Sequence, residues 1–242
     1  MSKRWNNYPT YEQPSAEELR QKAEANIKKA GLRGQTYEPV HVEGRKICKR
    51  WWGIAWCENL ERYADYASRL GRGKHYVRAG AVLDLKIKTS LILAQVQGSQ
   101  RRPYQVEIYI DPLTEKAAKK IRQQCMQKIK SLEALVTGEF PEELQNIFTG
   151  TDGLFPKPSD IHFDCSCPDW ADMCKHVAAT MYAVGVRLDE NPFYFFQLRG
   201  INADEFIAAA VDDRIESMLK HATDKSSRII EEKDVHDLFG VL

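Results

Sequence analysis

The chain has 242 residues, 43% of them hydrophobic and 29% charged, enough either to bury one full core or to divide into two small domains. No run of eighteen apolar residues occurs and the first twenty residues hold no apolar core, so the expectation is a cytoplasmic protein with neither a membrane span nor a secretory leader. The net charge of +1 hides two opposed halves: residues 41–130 carry 19 Lys and Arg against 8 Asp and Glu, whereas residues 131–242 carry 9 against 21. A surface facing a polyanion is therefore expected on the first half.

Residues 1–45 contain Pro9, Pro14, Pro39, Gly31 and Gly34 among many polar positions, and read as loosely ordered apart from a short helix over 15–30. Ser15 followed by Glu18 is a capping-box signature for its start. Over 49–70, Trp52, Trp56, Leu60, Tyr63, Ala67 and Leu70 recur at three- and four-residue steps, one apolar face of an amphipathic helix. The period then changes to two over 81–88, 91–97 and 104–110, which predicts three antiparallel strands. Helical spacing returns over 113–138 through Ala118, Ile121, Cys125, Ile129, Leu132 and Leu135, with Gly138 suited to the helix end and Pro141 to the start of a second short helix. The Gly- and Pro-rich stretch 149–160 marks a boundary.

The predicted organisation is α+β. A loosely ordered segment (1–45) precedes a basic module with a small antiparallel sheet and helices (46–150). A zinc-stapled strand-helix module (151–200) and a C-terminal helix and tail (201–242) follow. The run Phe193–Phe196 reads as the zinc-finger helix continuing into a local core, with an exposed partner-binding patch as the alternative, and Cys48, Cys57 and Cys125 read as small buried residues. The acidic tail 231–242 ends in an apolar cluster suited to docking on a partner or on its own chain.

Chemistry concentrates in "DCSCPDWADMCKH", where Cys165, Cys167, Cys174 and His176 follow the spacing C-x-C-x6-C-x-H. Three thiolates and a neutral imidazole suit Zn(II) and complete a tetrahedral shell with no open position, which means structure and not catalysis. On an extended strand Cys165 and Cys167 leave the same face about 6.5 Å apart, a gap that side-chain torsions close. Two residues apart inside a helix, Cys174 and His176 would point about 200° apart. Cys174 is therefore expected in the turn entering a helix and His176 in its first turn. Lys175 can offset the net negative charge of the loaded shell, and His162, Asp164, Asp169 and Asp172 stand by as alternative ligands. A zinc deaminase needs H-x-E followed by C-x-x-C; His41 and Glu43 match the first half, but no C-x-x-C exists.

The segment "CSCPDWADMCKHVAATMYAVGVRLDENP" resembles a SWIM-type zinc finger, a module of bacterial Swi/Snf-type helicases, plant mutator-type transposases and various eukaryotic proteins. The upstream "KRWWGIAWCENLERY", "GRGKHYVRAGAVLDLKI" and "VQGSQRRPYQVEI" resemble the N-terminal region of stand-alone bacterial and archaeal SWIM proteins, often encoded beside a Swi/Snf-family helicase. The resemblance implies one structural zinc ion, a helicase partner and binding of nucleic acid or protein.

Basic residues interleaved with aromatics point to nucleic acid, because Lys and Arg contact phosphates and aromatic rings stack on bases. The candidates are Lys49, Arg50, Arg69, Arg72, Lys74, Arg78, Arg101 and Arg102, with Tyr76 and Tyr104 for stacking and Gly71 and Gly73 for close approach to a phosphate. No G-x-x-x-x-G-K-[ST] loop is present, so the chain is no P-loop motor. The expectation is a non-enzymatic, nucleic-acid-binding accessory protein, DNA more than RNA, acting on no small-molecule substrate. The competing reading is a protein-interaction adaptor whose zinc module docks on a helicase or another partner.

Overall fold

Ser15 starts the first helix as expected: its hydroxyl accepts from the Glu18 N–H at 3.1 Å while the Glu18 carboxylate accepts from the Ser15 N–H at 2.9 Å. This helix, α1 (Ala16–Gly31), buries Leu19, Ala23 and Ala30 and leaves its other faces in solvent. The computed structural model describes residues 13–62, 67–128, 140–150 and 153–221. Within it the chain forms two compact units, Met1–Ala203 and Asp204–Leu242.

The segment after α1, expected to be loose, is tied down. Val40 N–H donates to Val82 O at 3.1 Å, Leu85 N–H to Glu38 O at 3.2 Å, and Glu38 N–H to the Asp84 carboxylate at 2.9 Å. These bonds lay the segment along the open side of strand β1 (Val82–Lys88), which would otherwise present unpaired backbone groups. With β2 (Leu91–Val96), β3 (Tyr104–Ile110) and β4 (Ile161–Cys165), β1 forms an antiparallel sheet in the order β1-β2-β3-β4. The three strands expected from alternation are present; along β3, Val106, Ile108 and Ile110 are buried while Gln105, Glu107 and Tyr109 are exposed.

β4 is the strand that matters for the site. Its register pairs Val106 with Cys165 and Ile110 with Ile161, so the start of the cysteine cluster is an edge of the sheet built by the basic segment. Residues 46–150 and 151–200, expected as separate modules, thus share one sheet. The reason is that β4 has backbone groups to pair and β3 offers its free side.

The expected long helix over 49–70 divides into α2 (Trp51–Glu61) and α3 (Ala67–Arg78), with Tyr63 outside the described residues. Three indole N–H groups of α2 are fixed: Trp51 donates to Phe140 O at 3.0 Å, Trp52 to Leu188 O at 2.7 Å and Trp56 to Met181 O at 2.8 Å. The two latter acceptors belong to α6 (Lys175–Glu190), the helix that follows the cysteine cluster and buries twelve of its sixteen residues. α6 touches α2, α3 and every strand of the sheet, and so forms the centre of the core.

Around the other end of α6 lies an aromatic cluster. α4 (Glu115–Lys128) buries Ala118, Ile121 and Cys125 as its spacing predicted, and its expected continuation to Gly138 lies outside the described residues. Phe140, Phe148 on α5 (Gln145–Thr149) and Phe155 meet Phe195 and Phe196 on α7 (Tyr194–Leu198), with ring centroids such as Phe148–Phe195 at 5.1 Å. The run Phe193–Phe196 is thus mainly core. Cys48 and Cys125 are buried, whereas Cys57 is half-buried with its Sγ 3.4 Å from that of Cys48.

The second unit is described through His221 as α8 (Ala203–His221), which exposes Ile215 and Leu219. The tail 231–242 lies outside the described residues. No described helix is long and apolar enough to cross a membrane.

Gly73 shows how closely the two helices meet. A Cβ there would lie 2.6 Å from Ala178 Cβ and 2.8 Å from the Ala178 backbone carbon. Gly71 and Gly73 are helical positions of α3 and do not form a phosphate-binding turn; Gly73 serves the α3–α6 contact. Gly73→Ala should overpack this seam and destabilise the protein by about 1–3 kcal/mol, read as a lower urea midpoint with the same m-value.

Candidate metal centre

The four candidate ligands arrive from the two sides of a short loop. Cys165 ends β4, where the Ser166 N–H donates to Gln105 O at 3.0 Å and the Ser166 hydroxyl accepts from Gln105 N–H at 2.9 Å, holding the chain as it leaves the sheet. Cys167 follows two residues later. Asp169 then fastens the loop: its carboxylate accepts from the Arg69 guanidinium at 3.1 Å and from the Ala171 N–H at 3.4 Å. Met173 is fully buried beyond the tip, and Cys174 is the N-cap of α6, with His176 its second residue. This is the placement that the two-residue spacing of Cys174 and His176 required.

All four ligand atoms lie within 4.8 Å of one another. His176 Nδ1 is 3.8 Å from the Cys174 sulfur and 3.9 Å from the Cys165 sulfur. A thiolate at about 2.3 Å and an imidazole nitrogen at about 2.0–2.1 Å on one tetrahedral ion stand about 3.6 Å apart, so the cluster is within a few tenths of an ångström of the dimensions of a zinc shell.

The electrostatics agree with the geometry. Burial is the largest cause holding His176 below its ordinary value, so the imidazole is neutral at pH 7 and able to ligate. The Cys174 thiol is pulled down to about 3, first by its hydrogen bond with Cys165 and also by His176. Its place at the start of α6 favours a thiolate as well. Cys165 is pushed the opposite way by the same hydrogen bond and by burial.

The other imidazole nitrogen, Nε2, is buried and has no hydrogen-bond partner among the described residues. Its surroundings are the ring of Tyr104, 4.3 Å away between centroids, the ring of Tyr76 at 5.5 Å, and Gly98, whose Cβ would fall 2.9 Å from Nε2. A buried imidazole in so apolar a wall is costly unless Nδ1 has a strong partner, and a metal on Nδ1 supplies it. Four protein ligands fill a tetrahedral zinc ion completely, so the ion would hold the strand end to the helix start.

Residues 164–185 match the family model of the SWIM zinc finger. The strand end, loop and helix start form a SWIM zinc finger. The chain is also 34% identical over 164 residues to the uncharacterized protein Rv2102 of Mycobacterium tuberculosis, an alignment covering 67% of this chain and 59% of that one. The chain thus spans about three fifths of the length of this curated relative. No solved structure matches it.

The finger also reorganises the expected nucleic-acid surface. Lys49 and Arg50 sit at the start of α2, where their N–H groups donate to the carboxylate of Asp189. Asp189 lies thirteen residues along α6 from His176, which places these two cations about 20 Å from the finger. Lys74 pairs with Glu61 at 2.7 Å, and Arg78 donates to Arg45 O at 3.1 Å. Tyr76 is 0% exposed and packs on His176, so it cannot stack on a base. Tyr104, half-buried, lies against the same imidazole. At the finger end Arg69 is paired with Asp169, Arg72 follows it three residues further along α3, and Arg101 and Arg102 are exposed.

Several contributors were not expected from the sequence. Lys22 donates to Ser99 O at 3.1 Å, and Asn26 donates to the Gln97 side chain at 2.7 Å and to Arg101 O at 3.1 Å. Gln97 donates in turn to Gly98 O and Gln100 O. These bonds fix the β2–β3 connection, with its two arginines, onto α1 and beside His176. Their only sequence signal is polar residues on the face of α1, which is also what a solvated face looks like.

Cys174→Ser should lower zinc below one ion per chain by elemental analysis. Because the finger helix is the centre of the core, melting of the whole 13–203 unit should shift together, with no separate finger transition. The pH dependence follows in sign. Stability from the neutral, buried His176 is present above its ordinary value of 6.5 and is lost as pH falls through its lowered folded-state value. Protons compete for the thiolates in the same direction, so acid titration should release zinc and unfold the protein together.

Proposed function

We propose that the protein is a non-enzymatic, zinc-dependent nucleic-acid-binding accessory protein that acts with a Swi/Snf-type helicase. The observation that carries the reading is the exposed Arg101–Arg102 pair, held in place beside the finger by Lys22, Asn26 and Gln97. Two adjacent cations on a fixed backbone lose little freedom on meeting a phosphate chain. The excess of 19 basic over 8 acidic residues across 41–130 supports the same partner. DNA and a helicase partner rest on the resemblance to stand-alone SWIM proteins, and any ATP hydrolysis would belong to that partner. A zinc shell filled by protein ligands favours a binding role over hydrolysis.

The test is binding of labelled 20-mers, single- and double-stranded DNA and RNA, across about 50–200 mM salt. Affinity should fall steeply with salt, and R101E/R102E should weaken binding at least tenfold and flatten the slope by about 1.4 for two phosphate contacts on a single strand. Zinc content should not change. Salt-independent binding, or a variant that binds as the parent does, would overturn the reading.

A further inference from the structure

Trp170 has no structural reason to be where it is. It lies at the tip of the finger loop, between Cys167 and Cys174, and is 92% exposed. The other described tryptophans behave differently: Trp51, Trp52 and Trp56 pack in or against the core and donate their indole N–H to backbone carbonyls. Trp170 fills no cavity and makes no hydrogen bond among the described residues.

The loop that carries it is nevertheless rigidly held. The metal ligands Cys167 and Cys174 fix its two ends, Met173 is buried, and Asp169, the residue before Trp170, is tied to Arg69 on α3. An aromatic side chain on a preorganised loop meets a ligand with little loss of freedom. The metal therefore presents an exposed indole in one place.

We propose that Trp170 is a stacking platform for an unpaired nucleobase, with the phosphate chain running over Arg69 and Arg72; this rests on the nucleic-acid reading above. Two observations favour a base over a protein pocket. First, the indole stands alone. The other large exposed apolar side chains among the described residues are Leu32, Tyr109, Ile215 and Leu219, none of them in the loop. Protein hot-spot anchors are surrounded by further contact surface that excludes water, whereas a base needs only one aromatic face. Second, the charges are divided between carboxylates on the finger loop and strand and cations on α3, the helix to which Asp169 ties the loop. Exposed Asp172 lies in the loop and exposed Asp164 on β4, whereas Arg69, paired with Asp169 at 3.1 Å, and Arg72 lie on α3. A neutral base reaches the indole while the backbone stays over the cations. Sequence-tolerant binding of single strands is the expected result.

The experiment uses the zinc-loaded full chain and a labelled oligothymidylate 20-mer, with a 20-base-pair duplex beside it. Trp170→Ala should weaken the single strand about tenfold to a hundredfold. Trp170→Phe should keep most of the affinity. Both variants should retain parental zinc content, melting temperature and salt slope, because no phosphate contact is removed. Binding to oligothymidylate should also quench indole fluorescence in the parent and not in Trp170→Ala. Unchanged affinity in Trp170→Ala, with R101E/R102E still weakened, would sink the stacking role and leave the nucleic-acid reading standing. Equal losses on duplex and single strand would remove the unpaired base. If the parent binds neither probe, both readings fall and Trp170 becomes a protein contact.

Discussion

A tetrahedral shell shared between a strand end and a helix start can close only if the two elements keep a fixed separation and angle. β4 and α6 meet that demand at Cys165, Cys167, Cys174 and His176, and the Met1–Ala203 unit is built on these two elements. β4 extends the sheet by pairing with β3, so the metal is anchored on one side to four strands. On the other side it is anchored to the most buried helix of the protein. The far end of that helix is also clamped, since Leu188 O accepts from Trp52 and the Asp189 carboxylate receives the N–H groups that start α2. With both ends fixed, α6 cannot slide without breaking either the metal shell or the cap of a neighbouring helix.

That tight seating explains where the glycines fall. Gly73 meets Ala178, Gly98 meets His176 and Tyr104, and Gly185 meets the sulfurs of Cys48 and Cys57, with the Cβ positions 2.9 Å and 3.2 Å from those two sulfurs. In each case a chain passes so close to α6 that a methyl group has no room. The Cys48–Cys57 contact is thus part of the packing of α2 on α6. Gly98 has a second effect, because it brings the backbone of the β2–β3 connection against the imidazole. The arginines of that connection are held beside the finger by the same approach that shields His176 from water.

The metal ligands were fully legible in the sequence, since cysteine and histidine at those intervals satisfy tetrahedral geometry only with Cys174 at a helix start. The strands were legible because β3 alternates faces residue by residue, as a half-buried strand must. Helix α3 was not, because Gly71, Gly73 and four basic residues resemble a solvated turn; only its contact with Ala178 shows why a glycine is needed inside that helix. Tyr76 illustrates the same limit. A tyrosine between basic residues reads as a stacking group, but on α3 Tyr76 shares the buried side with Gly73 and Val77 and packs on His176, while Arg78 two residues on is exposed. The joint sheet could not be read either, because strand pairing between residues some fifty positions apart leaves no local periodicity.

The finger loop also separates two effects that a small metal site could otherwise confuse. A loop of polar residues and one tryptophan would, without restraint, turn the indole inward onto apolar surface, since hiding it from water is favourable by about 25 cal/mol per Å². Here Asp169 is tied to Arg69 on α3 in a largely buried pair, and the ligands at both ends set the direction in which the chain leaves and re-enters the core. The metal site and the Arg69–Asp169 pair together set where the loop leaves and re-enters the core, and the indole at its tip stays 92% exposed.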